Sequence, residues 1–109
     1  MRKFIDALNG LLLAIKHKAV LIQFVLAICA IVGGVIISLD YYEWIAFIIC
    51  IIIVISAEIF NTAIERIGNY LNINKDNKIK EIKDLSSAAV LICAIGSLIV
   101  CIMVILKRM

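Results

Sequence analysis

Three long apolar stretches constrain this chain more than any other feature of its sequence. Residues 19–38 and 85–106 contain no Asp, Glu, Lys or Arg, and residues 44–70 are apolar over their first half. A helix of about 20 apolar residues crosses the hydrocarbon core of a bilayer. A chain of 109 residues that is 65% hydrophobic cannot hide that surface from water by folding on itself. The sequence therefore predicts an all-α integral membrane protein with three transmembrane helices in a single domain, residues 1–109.

The N-terminal segment, residues 1–18, has a different pattern. Apolar side chains recur there at helical spacing, while charged side chains fall between them. No small-residue cleavage site follows the basic cluster at its end, so the segment does not have the pattern of a cleaved signal peptide. We expect an amphipathic helix that lies in the membrane interface.

The distribution of Lys and Arg predicts the orientation. Four of these residues lie in the N-terminal segment and five lie at or in the connection between the second and third spans, whereas the first connection has none and the C-terminal tail has two. Positive charge is enriched in cytoplasmic segments. The sequence predicts a multi-pass protein of the inner (cytoplasmic) membrane with its N-terminus and polar connection in the cytoplasm. No nucleic-acid partner is expected.

Polar residues interrupt the second span between Ser56 and Gly68. Glu58, Asn61 and Glu65 follow one another at spacings of three and four, which places them on one side of a helix. Carboxylates in or near a membrane span are costly and usually mark a functional site. We expect Glu58 at lipid depth and Glu65 near the headgroups.

Lys83 and Asp84 would approach this stripe if the second and third spans form a hairpin. Asp84, Ser86 or Ser87 is expected to cap the third helix, whose amino end would then offer N–H groups to a phosphate. Two carboxylates, a lysine and a cation fit phosphoryl transfer. The same groups fit a proton or cation pathway, so the residues alone leave both functions open.

The cysteines indicate no further chemistry. All of them lie inside apolar stretches and form no metal-binding spacing, so we expect small buried hydrophobes and not a disulfide or a metal site: Cys29, Cys50, Cys93 and Cys101.

Two strings resemble a known signature. AEIFNTAIE at 57–65 and KDLSSAAVL at 83–91 are similar to the small prokaryotic membrane lipid kinases, the diacylglycerol kinase and undecaprenol kinase family. The spacing from Trp44 to Glu58 resembles that of the Gram-positive branch, whose members are mostly undecaprenol kinases. Undecaprenol and diacylglycerol both remain candidate substrates.

The resemblance implies a homotrimer with composite active sites at the cytoplasmic membrane surface, using ATP, Mg²⁺ and a membrane lipid from the bilayer. It implies a role for each residue that matches the motif. Glu58 would be the catalytic base in contact with the lipid, Glu65 a metal ligand near ATP, Asn61 a supporting residue and Ser87 a lipid contact. The remaining ATP contacts would be Asn74, Lys75, Asp76, Lys83 and Asp84.

The chain departs from the family pattern at two places. The family has a metal-binding glutamate near the start of the first span, where either His17 or Lys18 stands here, and Asn69 replaces an aspartate. Fewer carboxylates should weaken Mg²⁺ binding. The alternative function is a catalytically weakened family member that acts as a structural or binding membrane protein.

Overall fold

The chain folds into an N-terminal helix followed by three longer ones. The computed structural model describes residues 1–71 and 77–109. Within these ranges the helices are α1 (Arg2–Ile15), α2 (Lys18–Ile36), α3 (Tyr41–Leu71) and α4 (Asn77–Arg108), and no strand is present. The last three are long and apolar enough to cross a membrane. The predicted all-α membrane fold is confirmed, whereas the homotrimer stays a prediction.

The junction between α1 and α2 is a sharp break. Lys16 closes α1, and His17 adopts an extended conformation (φ −81°, ψ 131°) before α2 begins at Lys18. The N-terminal helix therefore ends at Ile15, three residues before the predicted boundary at residue 18. The break lets α1 leave the direction of α2, as an interfacial helix must.

A capping box starts α3. The Asp40 N–H donates to Glu43 Oε1 (3.0 Å), and the Glu43 N–H donates to Asp40 Oδ1 (2.9 Å). Reciprocal bonds of this kind satisfy backbone donors that a helix start leaves without partners. The helix consequently begins at Tyr41, three residues before the predicted residue 44.

The start of α4 differs more from the prediction. The helix begins at Asn77, so Asp84, Ser86 and Ser87 lie inside it, and the expectation that one of them caps it is wrong. The polar residues before the apolar stretch are good helix formers, and an ion pair from Lys80 to Asp84 (2.8 Å) links successive turns. The N–H groups near Asp84 are thus internal to the helix and do not form a phosphate site.

Helices α3 and α4 form an antiparallel hairpin. Glu43 contacts Arg108 at one end, Asn61 contacts Ser86 in the middle, and Gly68 approaches Lys83 at the other end. Near the Arg108 end, Leu39, Phe47 and Val104 form a small buried cluster. Most other apolar side chains are exposed in the single chain, as expected for surfaces that face lipid. The hairpin places the polar stripe of α3 against α4.

Candidate active site

A hydrogen-bonded relay crosses from α4 to α3 at the predicted site. The Ser86 hydroxyl donates to Asn61 Oδ1 (2.6 Å), and the Asn61 amide Nδ2 donates to Glu65 Oε1 (2.8 Å). Ser86 and Asn61 are buried, whereas Glu65 is exposed. The relay fixes the Asn61 side chain and, through it, one oxygen of the Glu65 carboxylate.

Glu58 is buried in the same face of α3. Its residue is only 7% exposed, and its Oε2 atom has no hydrogen-bond partner among the described residues. Buried polar atoms are nearly always paired, so an unpaired one needs a reason. A carboxylate oxygen left available beside the helix hairpin is a suitable proton acceptor for a substrate hydroxyl.

Seven residues separate Glu58 from Glu65. At 1.5 Å per residue this is a rise of about 10 Å along the helix axis. One carboxylate is therefore buried toward the middle of α3, and the other is exposed nearer its C-terminal end. Their depth relative to a membrane remains an expectation.

Lys83 lies beyond Glu65, at the end of the hairpin. Its ammonium group donates to Asn69 Oδ1, and Gly68 makes room for it. A Cβ atom at Gly68 would stand 2.7 Å from Lys83 Cε, which is closer than side-chain atoms approach one another. The Lys83 ammonium is thus held by the uncharged amide oxygen of Asn69, the residue that departs from the family pattern.

The other predicted contacts are brought together only in part. Asp84 is exposed and pairs with Lys80, and Ser87 is exposed on α4. Neither is bonded to Glu58, Asn61 or Glu65 within the described residues. Asn74, Lys75 and Asp76 lie outside the described residues.

His17 and Lys18 face different surroundings. His17 is half-buried and lines a cleft between α1 and α3, and its Nε2 atom is buried without a hydrogen-bond partner among the described residues. Lys18 is exposed and is not among the described residues that line this cleft. The structure thus brings His17, and not Lys18, against the polar end of α3.

The described residues form no enclosed metal site. No group of three or more His, Cys, Asp or Glu side chains among them is placed to hold a metal ion. Mg²⁺ at phosphoryl-transfer sites is commonly held by one or two carboxylates together with phosphate oxygens and waters. The exposed carboxylate of Glu65 fits that arrangement as a single protein ligand.

Sequence reasoning missed the role of Ser86, which it treated as a helix cap. Its position three residues after Lys83 was the available signal, because the two side chains then lie on neighbouring turns of one face. The structure instead identifies Ser86 as the α4 residue that is hydrogen-bonded to the stripe.

Comparison with known families gives one match. The sequence model of the family described as prokaryotic diacylglycerol kinase matches residues 6–105. A comparison with curated proteins gives no match. The family match spans α2, α3 and most of α1 and α4, so it includes every site residue described above.

Proposed function

Because this chain belongs to the prokaryotic diacylglycerol kinase family, we propose that it is an ATP-dependent lipid kinase, transferring the γ-phosphate of ATP to the hydroxyl group of a membrane lipid. The observation that carries the proposal is the pair of carboxylates on α3. Glu58 is buried with an available oxygen, and Glu65 is exposed two helical turns away. Glu58 can contact a hydroxyl group in an apolar environment, while Glu65 can contact a nucleotide from the aqueous phase.

Glu58 serves as the general base. Its available Oε2 accepts the proton of the lipid hydroxyl as that oxygen attacks the γ-phosphorus and the bond to the bridging oxygen of ADP breaks. Burial excludes water from the carboxylate, which limits competing hydrolysis of ATP. The Thr62 hydroxyl, bonded to the Glu58 backbone oxygen at 2.9 Å, helps to fix this turn of the helix.

Glu65 and Lys83 bind the nucleotide. Glu65, oriented by Asn61, would hold Mg²⁺, which offsets the charge that develops on the transferred phosphate. The partner of Lys83 is the uncharged amide of Asn69, so a phosphate oxygen would bind the ammonium group more strongly and replace it. Asp84, near one end of the hairpin, completes the polar surface on which ATP rests.

The substrate is a long-chain membrane alcohol, and undecaprenol is favoured over diacylglycerol. The favouring feature is the pair Glu43-Trp44 and the spacing from Trp44 to Glu58, which resemble those of the Gram-positive branch. Trp44 itself packs against Gly34 and Phe47, far along α3 from Glu58, so it anchors the helix and does not touch the reacting hydroxyl. The active unit we propose is a homotrimer in the cytoplasmic membrane with its N-terminus inside: the resemblance to the family supports the trimer, and the distribution of Lys and Arg supports the orientation.

One assay tests the proposal. The full chain in detergent micelles is given radiolabelled ATP, Mg²⁺ and, in separate reactions, undecaprenol or diacylglycerol. We expect labelled lipid phosphate from wild type and none from Glu58→Gln, a variant that keeps the shape of the side chain but cannot accept a proton. Folded wild-type protein that labels neither lipid, with Mg²⁺ or Mn²⁺, contradicts the proposal.

A second candidate function is supported by the missing first-span glutamate, whose place is taken here by His17 or Lys18. In place of the family's first-span glutamate stands a side chain that cannot act as a hard oxygen ligand. Under this alternative the protein keeps the scaffold and binds lipid or a partner, with little turnover. A turnover number within about tenfold of a family member that has the glutamate would exclude it.

A further inference from the structure

The cleft between α1 and α3 has a composition that the proposed transfer reaction does not yet explain. Its volume is about 390 Å³, and the described residues that line it come from α1, the α1–α2 junction and one stretch of α3. Most are small or apolar. The polar ones are His17, Thr62 and Arg66, and no acidic residue of the described ranges lines the cleft.

The hydrogen-bond donors available in the cleft are His17 and Arg66. The Thr62 hydroxyl already donates to the backbone oxygen of Glu58. The Nε2 atom of His17 is buried and lacks a partner among the described residues, and Arg66 is long, exposed and always charged. The described lining offers a metal ion no carboxylate and adds the positive charge of Arg66, so this cleft does not suit a cation.

The geometry points to a phosphate-binding site in the α1–α3 cleft, in which Arg66 and His17 donate to the oxygens of one phosphate group. Arginine pairs with phosphate through two parallel N–H bonds, and an imidazole N–H can add a third. His17 in this cleft therefore does not act as a metal ligand. It belongs to a site that binds the anion directly.

The walls of the cleft favour a phosphate carried by a lipid. Leu11, Leu13 and Ile59 line the cleft together with small residues, and an apolar chain can lie against them while its headgroup reaches Arg66. A nucleotide phosphate has the same oxygen chemistry and is the other possible source. Whether the bound group is the reaction's product or its donor rests on the proposed kinase function, whereas phosphate binding itself does not.

Binding without turnover tests the site. Full-length protein in detergent micelles with EDTA is titrated with dioleoyl phosphatidic acid and, separately, with the non-hydrolysable ATP analogue adenylyl imidodiphosphate. We expect His17→Ala to weaken binding of at least one ligand by about tenfold, the loss of one hydrogen bond to a charged group, and Arg66→Gln, which removes two such bonds and a positive charge, to weaken it by at least as much. The ligand whose binding is weakened identifies the source of the phosphate. Lys18→Gln is the matched control, because it removes a positive charge next to His17 but outside the cleft, and it should change affinity by less than about twofold.

A charge reversal decides between an anion site and a cation site. His17→Glu places a negative charge beside Arg66, so it should weaken phosphate binding in EDTA further than His17→Ala does. If His17→Glu binds either ligand more strongly than His17→Ala does, the inference is overturned. It is also overturned if His17→Ala and Arg66→Gln bind both ligands with the same affinity as Lys18→Gln. Arg66→Lys, which keeps the charge, replaces Arg66→Gln if the latter does not fold, and it should bind more tightly than His17→Glu.

The two proposals fail separately. Wild-type protein that binds phosphatidic acid in EDTA but transfers no phosphate contradicts the kinase function and leaves the cleft site standing. The opposite outcome is that wild-type protein phosphorylates lipid, while the His17 and Arg66 variants bind both ligands with the affinity of Lys18→Gln. That result contradicts the cleft site alone.

Discussion

The Ser86 hydroxyl donates a hydrogen bond to Asn61 Oδ1 at 2.6 Å, and this contact joins α4 to α3 in the middle of the hairpin. Both residues are buried, and Asn61 passes the constraint to Glu65 through its own amide. In a low-dielectric interior such a relay restricts side chains to one arrangement. The packing of two helices is thereby coupled to the orientation of the carboxylate proposed to bind the metal.

Ser86→Ala should lower catalytic efficiency without unfolding the protein. The change leaves the buried Asn61 oxygen without its partner, which costs about 1–2 kcal/mol, and it frees Asn61 to turn away from Glu65. We expect kcat/KM to fall about fivefold to tenfold, with a higher Mg²⁺ requirement. Ser56→Ala, at an exposed position of α3, is the control and should match wild type. If folded Ser86→Ala has the same Mg²⁺ requirement as wild type, Ser86 does not orient the Glu65 carboxylate.

Gly68→Ala should act on nucleotide binding. The added Cβ would lie 2.7 Å from Lys83 Cε and 3.1 Å from Ile79 Cγ2, so the lysine must move away from Asn69. We expect the KM for ATP to rise about threefold or more while kcat changes less, measured as initial rates against ATP concentration. Gly96→Ala is the matched control, because no described atom outside its own helix backbone and chain neighbours lies within 4 Å of the added Cβ. If Gly68→Ala and Gly96→Ala have equal KM values for ATP, Lys83 does not contribute to ATP binding.

The sequence predicted the helices and the polar face, but not how the helices meet. Spacings of three and four are enough to align Glu58, Asn61 and Glu65, since that property is local to one helix. The start of α4 at Asn77 was missed because the first residue of the apolar stretch was taken as the first residue of the helix. Polar helix formers extend the helix toward its N-terminus. The pairing of Asn61 with Ser86 depends on the rotation and offset of α3 against α4, which no single segment determines.

Arg108→Ala should lower thermal stability. Arg108 Nε lies 3.1 Å from Glu43 Oε1, and its other nitrogens donate to the backbone oxygens of Ile37 (2.8 Å) and Ser38 (2.7 Å). The arginine thus ties the end of α4 to the α2–α3 connection, 65 residues away from Glu43 in sequence. We expect the Tm in detergent to fall by roughly 5 °C or more, since Glu43 would keep its charge but lose its partner.

The neighbouring lysine provides the control for Arg108. Lys107 lies 3.8 Å from Asp40, and both side chains are exposed, so Lys107→Ala should change the Tm by no more than about 2 °C. A Tm for Arg108→Ala that is no lower than that for Lys107→Ala would show that the arginine contacts do not stabilise the hairpin.

Asp40 should make the start of α3 sensitive to acid. The Glu43 N–H that donates to its carboxylate lowers the pKa of Asp40 below its ordinary value of 3.8, with a smaller contribution from Lys107. A lowered pKa stabilises the folded state fully above the unfolded value, and the contribution is lost as pH falls through the folded value. Comparing the Tm of wild type and Asp40→Asn between pH 3 and pH 7, we expect wild type to be more stable above about pH 4.5 and the difference to shrink below that. A difference that is constant with pH would exclude the carboxylate charge as its cause.

Added Mg²⁺ should restore part of the activity of a Glu65 variant but none of the activity of a Glu58 variant. Glu65 is the exposed carboxylate that fits the metal, so Glu65→Gln should raise the Mg²⁺ concentration needed for half-maximal activity by about tenfold or more and recover part of its activity at saturating Mg²⁺. Glu58 is buried, and its available oxygen is proposed to accept the hydroxyl proton, so Glu58→Gln should stay inactive at every Mg²⁺ concentration while still binding the ATP analogue. Activity of both variants measured across a Mg²⁺ titration distinguishes the two roles. Recovery of Glu58→Gln by Mg²⁺, or a Mg²⁺ dependence of Glu65→Gln like that of wild type, would mean that the roles of base and metal ligand are not divided along α3 in this way.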